Sequence, residues 1–193
     1  MKSFYELDEL NELGFMYIGK NAQISRNAVF YGIERIHIGE NVRIDDFCVI
    51  SAGSEGIKIG NYVHIAVYSS LMGDGKIILE DFSGLSSRVS VYSSNDDYTG
   101  RRMSNPTVPK EYTSVTSGTV RICKHVLIGS GSVILPGITI EEGAVVGALS
   151  MVNKDCEAFY IYKGNPAKKI FERFKDLLEL ELDLIKSRNI NNS

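Results

Sequence analysis

The chain contains no tryptophan, and only four prolines, three cysteines and three histidines occur among its 193 residues. The cysteines, Cys48, Cys123 and Cys156, are odd in number and widely separated, which excludes a disulfide framework and a CxxC metal knuckle and leaves them as small buried fillers. No apolar run approaches the roughly 18 residues that a membrane span needs. The opening residues are acidic where a secretory leader is basic and then apolar, so the expectation is a cytoplasmic protein with no membrane span. An excess of one charge is also missing: 21 basic against 24 acidic residues leave a net charge of -3, and nothing electrostatic favours a nucleic-acid partner. What is present is 44% hydrophobic and 23% charged, close to the globular average, in a length that suits about one domain with its own core.

Isoleucine (21) and valine (15) beside 18 glycines favour short strands joined by tight turns. Residues 3–13 predict a short amphipathic helix, with Phe4, Leu7, Leu10 and Leu13 on one face, Ser3 and Glu6 spaced as a capping box and Gly14 as the stop. From Met16 onward the helical period vanishes. Apolar residues then recur at every sixth position: Ile18, Ile24, Phe30; Ile38, Ile44, Ile50; Ile59, Ile65, Leu71; Leu79, Leu85, Val91; and, after a gap, Ile122, Ile128, Ile134 and Ile140, Val146, Val152. Six coils of three hexads describe an all-β solenoid, triangular in section, in which each coil covers the hydrophobic edge of its neighbour. A β-sandwich would instead show period-two alternation with turns at irregular intervals. Small residues two places before an inward one (Ala22, Ser69, Ser83, Ser132, Ser150), and glycines just after one (Gly39, Gly60, Gly129, Gly147), predict crowded corners that need small side chains or positive φ.

Two segments break the pattern. Residues 92–119 carry no hexad and hold two prolines and three tyrosines, and an insertion this long is an expected carrier of function. Beyond the last coil, Ile170, Phe171, Phe174, Leu178, Leu182 and Ile185 fall at helical spacing and predict an amphipathic helix over 167–189 that caps the open end of the solenoid. The expected organisation is an N-terminal helix in 1–15, a β-helix in 16–166 with its excursion loop at 92–119, and a C-terminal helix and tail in 167–193.

The stretch KHVLIGSGSVILPGITIEEGAVVGALSMVNKD (124–155) followed by GNPAKKI (164–170) resembles the left-handed parallel β-helix, or hexapeptide-repeat, acyltransferases. It is most similar to the galactoside O-acetyltransferases and the nucleotide amino-sugar N-acetyltransferases. The resemblance, which spans residues 16 to about 170, implies the left hand of the helix and a homotrimer whose sites lie between neighbouring solenoids. It also implies that the 92–119 loop reaches the cleft and that acetyl-CoA is the acyl donor, with no metal. Carried over position by position, it places Ser130, Gly147, Ala148 and Ser150 at the corner along which the pantetheine arm pairs with backbone groups. A corner without bulky side chains permits that close approach. It also places Lys154, Lys168 and Lys169 toward the cofactor phosphates, as charge-assisted contacts.

Acyl transfer from a thioester needs a nucleophile, an acceptor for its proton and a donor that steadies the oxyanion. Where galactoside O-acetyltransferases carry a histidine a few residues into the loop, this chain has Asn95, Asp96 and Asp97. A hydroxyl is hard to activate, whereas a neutral sugar amine needs placement and mild proton acceptance, a task that suits loop carboxylates. The candidate catalytic residues are therefore Asp96, His64, expected to point outward below the loop, and His125, near the cofactor track. His37 lies far from the loop. Asn95, Asp97 and Tyr98 are candidate substrate contacts, with Tyr112, Arg101 and Arg102 available for a sugar ring or diphosphate. Asp97 beside Asp96 is a possible source of a raised carboxylate pKa. The function implied is acetyl-CoA-dependent acetylation of the amine of a nucleotide-linked amino sugar in surface-polysaccharide (lipopolysaccharide or O-antigen) biosynthesis. The alternatives are O-acetyl transfer to a sugar hydroxyl and a non-catalytic β-helix scaffold. A γ-carbonic anhydrase would need three zinc-ligating histidines in a spacing that His37, His64 and His125 do not have.

Overall fold

The computed structural model describes residues 3–191, so residues 1–2 and the end of the expected tail, 192–193, lie outside the described residues. The hexads form three flat faces of parallel strands. The first face stacks Tyr17–Ile18, Ile36–Ile38, Ile57–Ile59, Ile77–Leu79, Val120–Ile122 and Thr139–Ile140. The second stacks Gln23–Ile24, Arg43–Ile44, His64–Ile65, Gly84–Leu85, Leu127–Ile128, Val145–Val146 and Tyr160–Lys163. The third stacks Val29–Tyr31, Val49–Ala52, Ser70–Gly73, Ser90–Tyr92, Val133–Ile134 and Met151–Val152. Six complete coils result, followed by a partial seventh in which Cys156 bridges Ile140 and Tyr160–Lys163 extends the second face.

The register explains the sequence period. Ile38, Ile59, Leu79, Ile122 and Ile140 sit directly over one another on the first face, and each is fully buried. Ile44, Ile65, Leu85 and Ile128 do the same on the second, and Ile50, Leu71, Val91 and Ile134 on the third. Burying each such side chain contributes about 1.5–3 kcal/mol, so the ladder of aliphatic residues along the axis is the main source of stability. Ile77 pairs with Val120 across the insertion, so the excursion leaves the stack undisturbed. Its base is closed by a two-residue antiparallel ladder, Ser94–Asn95 against Thr116–Ser117.

The corners carry the expected positive φ and buried small residues such as Ser69, Ser83, Ser132 and Ser150. Positive φ is carried by Asn21, Asn41, Tyr62, Phe82 and His125 along one corner and by Phe47, Tyr68, Arg88 and Leu149 along another. Gly39 and Gly129 serve a different purpose: a Cβ on Gly39 would lie 2.6 Å from the Gly60 backbone, and one on Gly129 would lie 2.5 Å from the Ala148 backbone. Glycine is required there because adjacent coils meet backbone to backbone.

Both ends are also shorter in helix than the sequence predicts. The N-terminal helix, α1, covers Leu7–Glu12; its N-cap is Glu6, three residues later than the predicted Ser3, and Glu9 accepts the Glu6 N–H at 2.8 Å. Phe4 instead bridges Ser25 antiparallel, which ties the leading segment to the first coil. At the other end Lys168–Glu172 is a strand antiparallel to Tyr160–Lys163, and the C-terminal helix α2 covers Leu177–Asn191. The apolar run at Ile170 and Phe171 is a strand because it closes the edge that the last coil leaves open. Helix α2 does not cap that end but lies against a corner, where Glu181 meets Lys124 and His125 and Arg188 lies 4.7 Å over the Tyr62 ring. Its Leu180, Leu182, Leu184 and Ile185 are exposed, so the predicted amphipathic face does not pack on this chain.

Candidate active site

On the second face the outward positions are occupied in turn by Arg43, His64, Gly84, Leu127 and Val145. Gly84 opens a slot between His64 and Leu127, and a Cβ there would touch only Leu127, at 3.6 Å. Two strand spacings separate the walls of this slot, roughly 10 Å. The resulting cavity of about 350 Å³ is lined by His64, Ala66, Gly84, Leu85, Ser86, Ser87, Leu127 and Ser130. His64 is half exposed, and its Nε2 lies 2.8 Å from Asp45 Oδ2. Asp45 is 13% exposed, and its other oxygen accepts from Arg43 Nε at 2.7 Å. Burial pushes the Asp45 carboxyl up, but hydrogen bonds and charge from Arg43 and His64 outweigh it and hold the group below the usual carboxylate range.

The excursion loop builds a second cavity, of about 520 Å³, from Asn95, Asp96, Asp97, Tyr98, Thr99, Arg101, Arg102, Ser114 and Thr116. A neighbouring one of about 400 Å³ joins Asn95, Asp96 and Tyr98 to Tyr92, Val133 and Leu135 of the third face. The two adjacent carboxylates have separate tasks. Asp97 accepts the Thr99 N–H at 2.8 Å, the Thr99 hydroxyl at 2.7 Å and the Arg102 N–H at 2.7 Å. These bonds, the Thr99 hydroxyl foremost, hold its carboxyl below the usual range. Among the described residues Asp96 accepts only a long bond from the Asn105 N–H, 3.3 Å, and it borders both cavities. Tyr98 is 89% exposed at the rim.

The remaining predicted residues are dispersed. Ser130 shares the cavity with His64 and Ser86. Ser150 is buried, donating to Gly147 O at 2.7 Å and accepting the Gly164 N–H at 3.0 Å, so its side chain holds the corner together. Ala148 is exposed beside it, and Gly147 faces Lys163 of the last coil. Lys154 and Lys168 are exposed, but Lys169 is engaged with Glu157 at 2.7 Å and lies 3.8 Å over the Tyr160 ring. His125 is enclosed: its ring stacks on Phe82 and its Nε2 meets Glu181 at 2.7 Å beneath α2. His37 stacks on Tyr17 on the first face. His64 is not below the loop of its own chain, because the loop leaves from the third face while His64 stands on the second, and their cavities share no residue. Asp45, Gly84, Ser86 and Ser87 were not among the sequence candidates. The 21-residue register that pairs Arg43 with His64, and so brings Asp45 beside it, was the available signal. Among the described residues no cluster of three or more His, Cys, Asp or Glu could hold a metal, and no helix is long and apolar enough to cross a membrane.

Residues 119–154 match the family model for bacterial transferase hexapeptide (six repeats). Over 177 residues, 91% of this chain and 92% of the relative, the sequence is 59% identical to dTDP-4-amino-4,6-dideoxy-D-glucose acyltransferase of Escherichia coli. The fold superposes on AntD, an N-acyltransferase from Bacillus cereus in complex with dTDP and 3-hydroxybutyryl-CoA, with a TM-score of 0.94 and 45% identity, covering 98% of this chain and all of that one. A serine variant of AntD in complex with dTDP-4-amino-4,6-dideoxyglucose and coenzyme A superposes with a TM-score of 0.93 at 44% identity, covering 97% of this chain and 99% of that one. The coils, the excursion loop and the partial seventh turn are thus those of a known enzyme family, and the chain belongs to the left-handed β-helix, hexapeptide-repeat acyltransferases.

Proposed function

We propose that the chain transfers an acyl group from acyl-CoA to the 4-amino group of a dTDP-linked 4-amino-4,6-dideoxy sugar. The observation that carries this reading is Asp96, an exposed carboxylate with one weak internal bond, set in a loop cavity that contains no histidine. Such a group can accept a hydrogen bond from a sugar amine and orient it, which is most of what a neutral amine requires. Arg101 and Arg102 line the same cavity and suit a diphosphate, and Tyr98 offers an exposed ring for a sugar or base. The activity of the Escherichia coli relative and the dTDP and coenzyme A complexes of AntD support the same substrates.

The second-face residues fit the acyl donor. Gly84 leaves a gap that any larger side chain would narrow, and the small residues Ser86, Ser87, Ser130 and Ala148 permit approach to the backbone at the next corner. Of the lysines carried over from the resemblance, Lys154 and Lys168 are exposed and suit the phosphates. The donor supplies an activated thioester carbonyl, and the chain places an amine beside it. Structures of AntD exist with substitutions at one serine and at an aspartate ten residues further on. Here Ser86 and Asp96 have that spacing, as do Ser87 and Asp97. Asp97 is consumed by its own loop, so Ser86 and Asp96 are the pair assigned to the amine.

Because Asp96 and the Ser86 and His64 cavity lie on different faces, the reading includes a homotrimer in which the loop of one copy closes over the second face of the next. The product, an N-acylated nucleotide sugar, suits consumption by glycosyl transfer into a surface polysaccharide such as a lipopolysaccharide O-antigen, in the cytoplasm where both substrates are made. The test is thiol release from acetyl-CoA and 3-hydroxybutyryl-CoA with dTDP-4-amino-4,6-dideoxyglucose and, separately, with a plain galactoside. Turnover is expected on the amino sugar alone. Turnover on the galactoside hydroxyl, or on neither, overturns the reading.

A further inference from the structure

We infer that the first face of the solenoid carries a second ligand site, which takes a nucleoside phosphate. The site stands apart from the chemistry proposed above: two hollows form it, of about 480 and 290 Å³, and none of their lining residues borders the loop cavities or the His64 cavity. The outward ladder of this face runs Tyr17, His37, Lys58, Ile78 and Arg121, one residue per coil. Lys58 and Lys76 border both hollows. They stand on adjacent coils, Lys76 two residues before the Ile78 that pairs with Lys58, a diagonal of roughly 8 Å by strand geometry. Side chains of that length can converge on one phosphate or diphosphate.

Both lysines are exposed, and neither ammonium group has an ion-pair or hydrogen-bond partner among the described residues. The carboxylates around them are engaged elsewhere. Glu80 takes Arg121 at 2.6 Å and the Lys124 N–H at 3.3 Å, Asp81 takes the Asn61 N–H at 2.7 Å, and Glu55 takes the Lys76 backbone N–H at 3.3 Å. Two unpaired cations at this spacing repel each other, and a bound dianion turns that repulsion into two charge-assisted contacts. The smaller hollow supplies an apolar wall beside them, from Met16, Ile57 and His37. The His37 ring stacks on Tyr17 with centroids 4.6 Å apart, and its Nδ1 is buried with no hydrogen-bond partner among the described residues, so packing holds the ring in place. A free phosphate would use the lysines and leave the wall idle, and a bare nucleoside would do the reverse. A base joined to its phosphates uses both.

The test is calorimetric titration of the full chain with dTDP and, separately, with ADP, with thymidine and inorganic pyrophosphate as controls. The double variant Lys58→Ala/Lys76→Ala is expected to lose one site per chain, or to bind there at least about tenfold more weakly, while kcat and KM for thiol release stay within about twofold. Lysine acetylation read by mass spectrometry should show Lys58 and Lys76 shielded several-fold by the nucleotide and not by thymidine. Shielding by pyrophosphate as strong as that by dTDP and ADP overturns the seat for the base. A double variant that binds both nucleotides with wild-type stoichiometry and affinity, or lysines that react equally with and without nucleotide, overturns the site. A wild type that releases no thiol but loses a nucleotide site in the double variant overturns the acylation reading alone.

Discussion

At the scale of single residues, neighbouring identical groups acquire different tasks from their hydrogen bonds. Asp96 and Asp97 are indistinguishable in sequence, yet one is spent on the turn and the other faces two cavities. Asp96→Asn is expected to cut kcat by about 10²-fold, the effect of a misplaced nucleophile, with an unchanged melting temperature, checked by thiol release and thermal unfolding side by side. Asp97→Asn should act through the loop, raising KM more than it lowers kcat. Because the folded Asp97 carboxyl titrates below its ordinary value, the loop order it supports is complete above about pH 4 and is lost as the pH falls through that lower folded value. Glycines divide in the same way. Gly39→Ala puts a Cβ 2.6 Å from backbone and should destabilise the fold by about 1–3 kcal/mol, whereas Gly84→Ala, with its nearest neighbour at 3.6 Å, should leave stability unchanged in a denaturant titration. None of these distinctions is readable from residue type, because each depends on what the next coil presents.

At the scale of elements, α2 shows how far local patterning can mislead. Its leucines suggested an apolar face buried on the solenoid, but the helix is held largely by Glu181, which is 9% exposed between Lys124 and His125. Burial pushes this carboxyl up, but the bonds and charges of those two partners outweigh it, leaving the group below its usual range. The attachment is thus at full strength above about pH 4.3 and weakens as the pH drops through the lower folded value. Glu181→Ala leaves His125 and Lys124 without their acceptor, at a cost of about 1–3 kcal/mol, or about 2–4 °C in Tm for each kcal/mol. Hydrogen exchange should then rise in the α2 amides and not in the coils. Unchanged exchange in α2 would show that the aromatic stack of Tyr62, Phe82 and His125 holds the helix without the carboxylate.

At the scale of the whole molecule, the two candidate cavities lie on faces that a single triangular prism cannot bring together. The loop cavity opens on the third face and the His64 cavity on the second. Sedimentation should give a trimer of the 21.4 kDa chain. Co-assembly of Asp96→Asn with His64→Ala chains should restore about a quarter of the wild-type activity, since random mixing gives that share of interfaces an intact loop and an intact second face. Recovery to zero would place both groups in one chain.

The solenoid, its coil boundaries, the excursion loop and the acyltransferase family were all legible in the residue order alone. An inward side chain repeated every six residues leaves a one-dimensional record that needs no distant contact to interpret. The residue order also brought forward Asp96 and His64, because the loop interrupts the repeat and His64 precedes an inward isoleucine. Tertiary structure decided which carboxylate is free, that Asp45 grips His64, that His125 is sealed under α2, and that the chain ends in a strand before its helix. Those outcomes depend on contacts between residues some 10 to 60 positions apart, and on whether a neighbouring coil offers a donor, an acceptor or bare backbone, which no local pattern encodes.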